Sequence, residues 1–414
     1  MLRCPSVCKN VNSLRFFTTL GDEANNFRNA INELTNDQIV FAIDTLGKGD
    51  VNDRNLLSQL CKKIKSNIKS INVENLLKIT HSLAKVEYKK LSLFSVINRI
   101  LLKQYEEIET RQLTQYLIDL NKLNALEANI FLPLVSNKVI KDVSLFSTFD
   151  LCFLLHLTSK LKIRDTFILD FISTEILANE ERYGYLCADQ VLVATVLRSL
   201  AFLKYDNELF RTLLYKRIPS CVYGLGGREL CNVLFAIILS HLNVKYTPEL
   251  TEIVLVILDR ITAKLPSLVE VEINQLGISL YYLKYNFEFF NENHESLLRS
   301  IADLKLEFRP SASKMQEKVG RLLDELKLKH ESEVMLGPYR LDFVIPKLKV
   351  AIEVNGYTHF FHRSEQLNAT TELKYKIIED LGWKVFGLNY YDWKNKNKQE
   401  RLERLAKGLM AHMM

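Results

Sequence analysis

Residues 341–360 read LDFVIPKLKVAIEVNGYTHF. Leu341, Phe343 and Ile345 alternate as in a strand with a buried face, Pro346 and Lys347 turn the chain, and Val350, Ala351 and Ile352 resume a buried strand. Two acids, Asp342 and Glu353, interrupt this apolar hairpin. A carboxylate is costly to bury and is seldom set mid-strand without a partner. Both acids fall at one end of the expected hairpin, close enough to share a cation or a substrate. Asn355-Gly356 ends the second strand, and Tyr357, Thr358 and His359 follow. A polar and aromatic cluster therefore lies beside the two acids.

Working outward, Ser313 to Lys329 has helical composition with apolar Met315, Val319, Leu322, Leu323 and Leu326, and Ser313 followed by Gln316 has the form of a capping box. Downstream, Thr370 to Leu381 sets Leu373, Ile377, Ile378 and Leu381 on one helical face. Gly382 stops that helix, Trp383 to Leu388 reads as a strand with Trp383 in the core, and a last helix starts near Lys398. The order is helix, two or three strands, helix, strand, helix, a compact α/β module.

The segment from about Leu341 to Leu409 resembles the RAP domain, a module named for RNA binding and its abundance in apicomplexans. The matching pieces occur in order: Leu341-Asp342-Phe343, Ile352-Glu353-Val354-Asn355-Gly356, Thr358-His359-Phe360, Leu373-Lys374, Leu381-Gly382-Trp383-Lys384-Val385 and Tyr391-Asp392-Trp393. The resemblance extends to very-short-patch-repair-like endonucleases of the PD-(D/E)XK fold. It implies that an acid on one strand and an E-x-K on the next hold a divalent metal while the Lys activates water. Asp342 and Glu353 match the acids and Asn355 stands at the Lys position, so Lys374 or Lys376 would have to supply the charge. Glu317 is a candidate third acid, and Mg2+ or Mn2+ is a cofactor only on this endonuclease reading.

The same residues have a structural reading. Asp342 bonds backbone amides, Glu353 pairs with Arg340 or Lys374, and His359 is a half-buried core residue. On the RNA-binding reading, Lys347, Lys349, Arg363, Lys374, Lys376 and Lys384 contact phosphates, and Tyr357 and His359 stack on an unpaired base. Lys394, Lys396 and Lys398 read as a solvated loop.

From Asp37 to Tyr285 the pattern is helical, and it recurs. Units open at Asp37-Gln38-Ile39, Glu74-Asn75-Leu76, Arg111-Gln112-Leu113, Phe149-Asp150-Leu151, Asp189-Gln190-Val191, Arg228-Glu229-Leu230 and Asn274-Gln275-Leu276. A second apolar helix follows in each unit, such as Leu91 to Leu102 or Leu250 to Ile261. Neither helix can bury its stripe alone, whereas stacked pairs can, which predicts a right-handed α-solenoid. Arrays of this period resemble the heptatricopeptide and octotricopeptide families of organellar RNA-binding proteins, which often end in a RAP domain. A HEAT- or armadillo-type protein-binding scaffold uses the same packing and is the alternative.

Met1 to Leu20 holds Arg3, Lys9 and Arg15 and no acid, with Ser, Thr and Asn among Leu, Val and Phe. This is the composition of a mitochondrial targeting segment, and Arg15-Phe16-Phe17 resembles a processing site. No apolar run is long enough for a membrane span or a secretory signal. The expected organisation is a targeting segment over 1–20, a repeat array over 26–301, a linker over 302–312 and a RAP module over 313–414 with its core at 341–409.

The 414 residues are 48% hydrophobic, ample for two domains, and carry a net charge of +6, which suits an RNA partner. The seven cysteines include no C-x-x-C pair, so neither a zinc site nor a disulfide framework is expected. Together these readings point to a mitochondrial matrix protein that binds single-stranded rRNA or mRNA, with mitoribosomal proteins as further partners. A metal-dependent RNA endonuclease and a protein scaffold are the alternatives.

Overall fold

A computed structural model of the chain describes residues 20–243, 247–302 and 313–413. The expected targeting segment, up to residue 19, and the expected linker, from 303, lie outside them. The chain divides into two compact units between Asp150 and Leu151.

The first unit is built of helix pairs. Asn36–Lys48 is followed by Arg54–Asn67, Val73–Lys85 by Leu91–Lys103, and Thr110–Lys122 by Ala128–Asp142. The first helices of successive pairs pack side by side. Each buries an apolar stripe: Ile39, Ile43 and Leu46 in one, Leu76, Ile79 and Leu83 in the next, Leu113, Leu117 and Leu120 in the third. Their starts are chemically fixed. Thr35 and Gln38 form a reciprocal capping box, and the Asn72 side chain accepts the Asn75 N–H at 2.8 Å. Each first helix ends in a residue of left-handed conformation: Asp50, Glu87 and Asn124, with φ of 52°, 53° and 49°.

The second unit continues the helix pairs and ends in a sheet. Thr166–Ala178 and Pro248–Lys264 are second helices, and Gln190–Phe202, Gly227–Ser240 and Glu270–Asn286 pack in sequence as first helices. The left-handed ends recur at Lys162 and Lys204, with φ of 60° and 54°. Their separation exceeds the 37 residues between Asp50 and Glu87 because an additional helix, Glu180–Ala188, is inserted. The sequence pattern does not separate that helix from its neighbours. Among the described residues no strand occurs between Asp37 and Tyr285.

Beyond Ser313 the order is the one expected: the helix Lys314–Glu325, strands β1 (Glu331–Leu336), β2 (Tyr339–Ile345) and β3 (Val350–Asn355), the crossover helix Ala369–Asp380, strand β4 (Lys384–Asn389) and the helix Lys398–Met413. The sheet runs in the order β1-β2-β3-β4. β1–β2 and β2–β3 are antiparallel; β3–β4, joined through the crossover helix, is parallel. β3 is buried at every position, as its near-continuous apolar run requires. On one sheet face Phe343, Ile345, Ile352, Val354, Phe386 and Leu388 pack against Val319, Leu322 and Leu323 of the preceding helix and Leu405 and Leu409 of the last. On the other face Val344 and Ala351 meet Ile378 of the crossover helix, with Trp383 partly buried alongside.

The crossover helix also packs on the first helices of the repeats. The Lys204 ammonium holds both Glu372 carboxylate oxygens, at 2.7 and 2.9 Å, and Asn286 donates to Asp380 at 2.7 Å. The Lys162 carbonyl accepts the His362 N–H at 2.8 Å while its Nζ donates to the Thr358 carbonyl. Arg164 donates to Gln366 at 2.9 Å and lies over the Phe361 ring. The module thus grips the repeats at the turns where their first helices end.

Candidate functional site

The β2–β3 register pairs Phe343 with Ile352, and one step further it sets Asp342 across from Glu353. Cross-strand partners project to the same face, here the face covered by the crossover helix. Asn355 lies two residues beyond Glu353 on that face, and the β3–β4 register adds Gly387 beside Glu353 and Asn389 beside Asn355. The result is a buried polar row, with Glu353 2% exposed and Asn355 1%.

The crossover helix supplies its partners. The Lys374 ammonium bonds Glu353 Oε2 and the Arg340 carbonyl, the latter at 3.1 Å, and lies over the Tyr339 ring. Asn355 Nδ2 donates to the Tyr375 hydroxyl and, at 2.9 Å, to Asn389 Oδ1. Gly387 makes this possible, because a Cβ there would collide with the Tyr375 hydroxyl. Asp342 Oδ2 accepts the Val354 N–H at 2.7 Å. Glu353 Oε1 and Asn355 Oδ1 are buried without a donor.

Burial dominates the electrostatics. It raises the Asp342 carboxyl above its ordinary value against the Val354 hydrogen bond and the Lys374 charge. It raises Glu353 to about 7, again against Lys374. The Tyr375 hydroxyl is likewise pushed up by burial.

As arranged, these residues do not fit a divalent ion. The place against Glu353 Oε2 is filled by the Lys374 ammonium. Glu317 does not join the acids: it is exposed, 3.8 Å from Arg321, on the helix that covers the opposite face of the sheet. Among the described residues no three His, Cys, Asp or Glu side chains converge. Lys374, read on the sequence both as a phosphate contact and as a partner of Glu353, is half-buried and paired with Glu353. Lys376 pairs with Asp380.

The remaining predicted contacts fall at two ends of the sheet. Lys347 and Lys349 are exposed in the β2–β3 turn, and exposed Lys384 opens β4 beside them, its N–H bonded to the Lys349 carbonyl at 2.8 Å. Tyr357 is 70% exposed at the opposite end, past the last residue of β3, about 17 Å away for five strand steps of roughly 3.3 Å. There it meets Tyr390 edge-on, Tyr390 meets Tyr391, and Lys394 lies 5.7 Å over the Tyr390 ring. His359 does not share Tyr357's exposure. It is half-buried, its Nδ1 is 3.3 Å from the Thr371 hydroxyl, and burial, then the Lys374 and Lys162 charges, lower its pKa to about 4. Arg363 is exposed in the loop beside the Lys162 contact.

Sequence reasoning missed Tyr375, Gly387, Asn389 and Tyr390. Their signals are three-dimensional: Tyr375 follows Lys374 on one helix, Gly387 and Asn389 come to β3 only through the parallel pairing, and Tyr390, just past β4, meets Tyr357.

The RAP domain family model matches residues 352–407. The matched span takes in Glu353, Asn355, Lys374 and the Tyr390–Tyr391 pair but not β2 or Asp342. A stretch of 98 residues is 31% identical to a RAP domain-containing protein, chloroplastic, of Oryza sativa subsp. japonica, covering 23% of this chain and 15% of that protein. The C-terminal module is a RAP domain, preceded by helical repeats.

Proposed function

We propose that this protein binds single-stranded RNA inside an organelle and acts there in RNA metabolism without cutting its ligand. The family match at 352–407 supports RNA binding, and the relative named as chloroplastic supports an organelle. The acid-free, Arg-bearing start at residues 1–20 favours the mitochondrion. A fluorescent protein carrying only those residues is expected to enter mitochondria; a cytosolic signal removes that assignment.

The observation that carries the binding reading is the exposed set Lys347, Lys349 and Lys384 at one sheet end with Tyr357 at the other. Cations hold phosphates and an exposed ring stacks a base. The ligand is an organellar rRNA or mRNA, and the roles are stabilisation, processing in concert with other factors, or mitoribosome assembly. Replacing all three lysines by glutamate is expected to weaken RNA binding at least tenfold without lowering thermal stability. Unchanged affinity contradicts the surface.

The ion pair of Lys374 with Glu353 carries the second half of the reading. Metal-assisted hydrolysis requires a carboxylate free to hold the ion and a group to orient water. Here the carboxylate holds an ammonium, and Asn355 is bonded to Tyr375 and Asn389. Single-turnover assays of bound transcript in Mg2+ or Mn2+ are expected to show no cleavage dependent on Asp342 or Glu353. Cleavage lost in both Asp342→Ala and Glu353→Ala, with RNA binding intact, would establish the endonuclease instead.

A further inference from the structure

In the second unit one second helix is broken. It runs over Glu208–Thr212 and Ile218–Cys221, and a π turn, Leu213–Arg217, joins the two pieces. Pro219 has no N–H for the Tyr215 carbonyl four residues back, so the α-helical ladder cannot close there. One residue earlier the Ile218 N–H reaches past Leu214 to the Leu213 carbonyl. Such turns recur at functional sites. Between this broken helix and the second helix of the next repeat, Pro248–Lys264, lies a groove of about 530 Å³. Tyr215, Pro219 and Tyr223 line one wall, and Glu249, Glu252 and Ile253 line the other. Arg260 ties the walls together, its Nη2 donating to the Tyr223 carbonyl at 2.8 Å. All of these residues belong to the repeats.

The groove is aromatic, apolar and acidic in a protein of net charge +6. Glu249 and Glu252 stand one turn apart on one helix face, and both are exposed. Among the described residues neither is in an ion pair, although Arg211, one turn before Tyr215, pairs with Asp206 at 3.0 Å. An acid in the first turn offsets the dipole of its helix, which accounts for Glu249; Glu252, a turn further in, has no such role. Burial and then the Asp206 and Glu249 charges raise the Tyr215 hydroxyl, so that ring stands in a negative field. Tyr223 is 66% exposed, and Arg260 lies 5.9 Å over its ring, so the ring already receives a guanidinium. Such a surface repels phosphates. A Lys or Arg side chain suits it: the aliphatic stem lies on Pro219 and Ile253, and the charge meets carboxylates and ring faces. A trough between two neighbouring helices takes a third helix along its length.

We propose that this groove docks a basic amphipathic helix of a partner protein, its apolar side chains on Pro219 and Ile253 and its Lys or Arg side chains on Glu249, Glu252 and the Tyr215 and Tyr223 rings. The proposal goes beyond the RNA-binding reading and does not rest on it. The test is fluorescence anisotropy of the full chain with a labelled synthetic helix of repeated Leu-Lys-Lys-Leu blocks, set against the same peptide with Glu in place of Lys. Wild type is expected to bind the Lys peptide, more weakly as salt rises, and not the Glu peptide. Glu249→Gln/Glu252→Gln is expected to bind the Lys peptide about tenfold more weakly, with an unchanged melting temperature and unchanged affinity for single-stranded RNA. Tyr223→Ala is expected to weaken binding about threefold and Tyr223→Phe to leave it unchanged, since the ring and not the hydroxyl meets the cation. Wild-type affinity in the Glu249→Gln/Glu252→Gln variant, or no binding of the Lys peptide by wild type, overturns the site. A loss of RNA affinity in that variant makes the groove an RNA contact and overturns it as well. So does self-association of the full chain that Glu249→Lys/Glu252→Lys abolishes, because the occupant is then a second copy.

Discussion

Glu353 is the residue on which the module's chemistry turns. Its carboxyl is raised to about 7 from a usual 4.5, with burial as the cause. Between those values the folded state holds a proton that the unfolded chain has released, so stability falls as pH rises through the window, by up to about 1.4 kcal/mol per pH unit. Glu353→Gln removes this titration. Denaturant melts from pH 4.5 to 8 are expected to show wild type losing stability relative to Glu353→Gln; parallel curves contradict the assignment. Lys374→Ala leaves a buried carboxylate unpaired, at a cost of about 3–5 kcal/mol when it is ionised. The penalty is expected to be largest at pH 8 and to shrink toward pH 5, where Glu353 takes up a proton. A penalty independent of pH means that Lys374 acts only through packing. This pairing was legible in the sequence as one of two partners for Glu353. What decides between Arg340 and Lys374 is the helix crossing over the sheet: it brings Lys374 down on Glu353, while Arg340 turns to Glu333, at 2.6 Å.

At the scale of elements, β4 is fitted to the crossover helix through Gly387. Gly387→Ala forces the Tyr375 hydroxyl away from Asn355 and is expected to destabilise by about 1–3 kcal/mol, the usual range for overpacking. The paired variant Gly387→Ala/Tyr375→Phe is expected to recover part of the loss in thermal melts; no recovery places the clash elsewhere. The start of the same helix is set by Asn368, 2% exposed, whose Oδ1 accepts the Thr371 N–H at 3.0 Å while its Nδ2 donates to the Thr358 carbonyl at 3.1 Å. Strands and helices here were readable from local signals: the Ser313–Gln316 box, Pro346, and Gly382 with its φ of 82°. The helix Glu180–Ala188 was not, because it is short, buries Leu186 alone and so carries no apolar stripe, and its boundary is the Asp189 cap of the helix that follows. The polar row was half legible. Asp342 and Glu353 are visible as acids in an apolar hairpin, but Gly387 and Asn389 reach them only by a parallel pairing that the sequence does not announce.

At the scale of the molecule, the second unit joins repeats and module through contacts that periodicity alone does not reveal. Lys204–Glu372 and Asn286–Asp380 are partly shielded, and each is expected to contribute about 1 kcal/mol. In Lys204→Ala/Asn286→Ala the amides of Ala369–Asp380 are expected to exchange hydrogen faster while those of Val73–Lys85 keep wild-type rates. Unchanged exchange in the crossover helix means that apolar packing alone holds it. Removing residues 313–414 outright uncovers the repeat surface on which that helix lies, so point variants separate RNA contact from folding better than truncation does. The left-handed turn residues carry a last consequence. In chain order they are Asp50, Glu87, Asn124, Lys162 and Lys204, and the module clasps only the two lysines. A module displaced by one repeat toward the N-terminus would bring the Asn124 amide to the turn whose ammonium now meets the Thr358 carbonyl. The turns thus work as an address written once along an otherwise repetitive scaffold: repeats added or lost upstream leave it intact, whereas a deletion between Lys162 and Lys204 erases it.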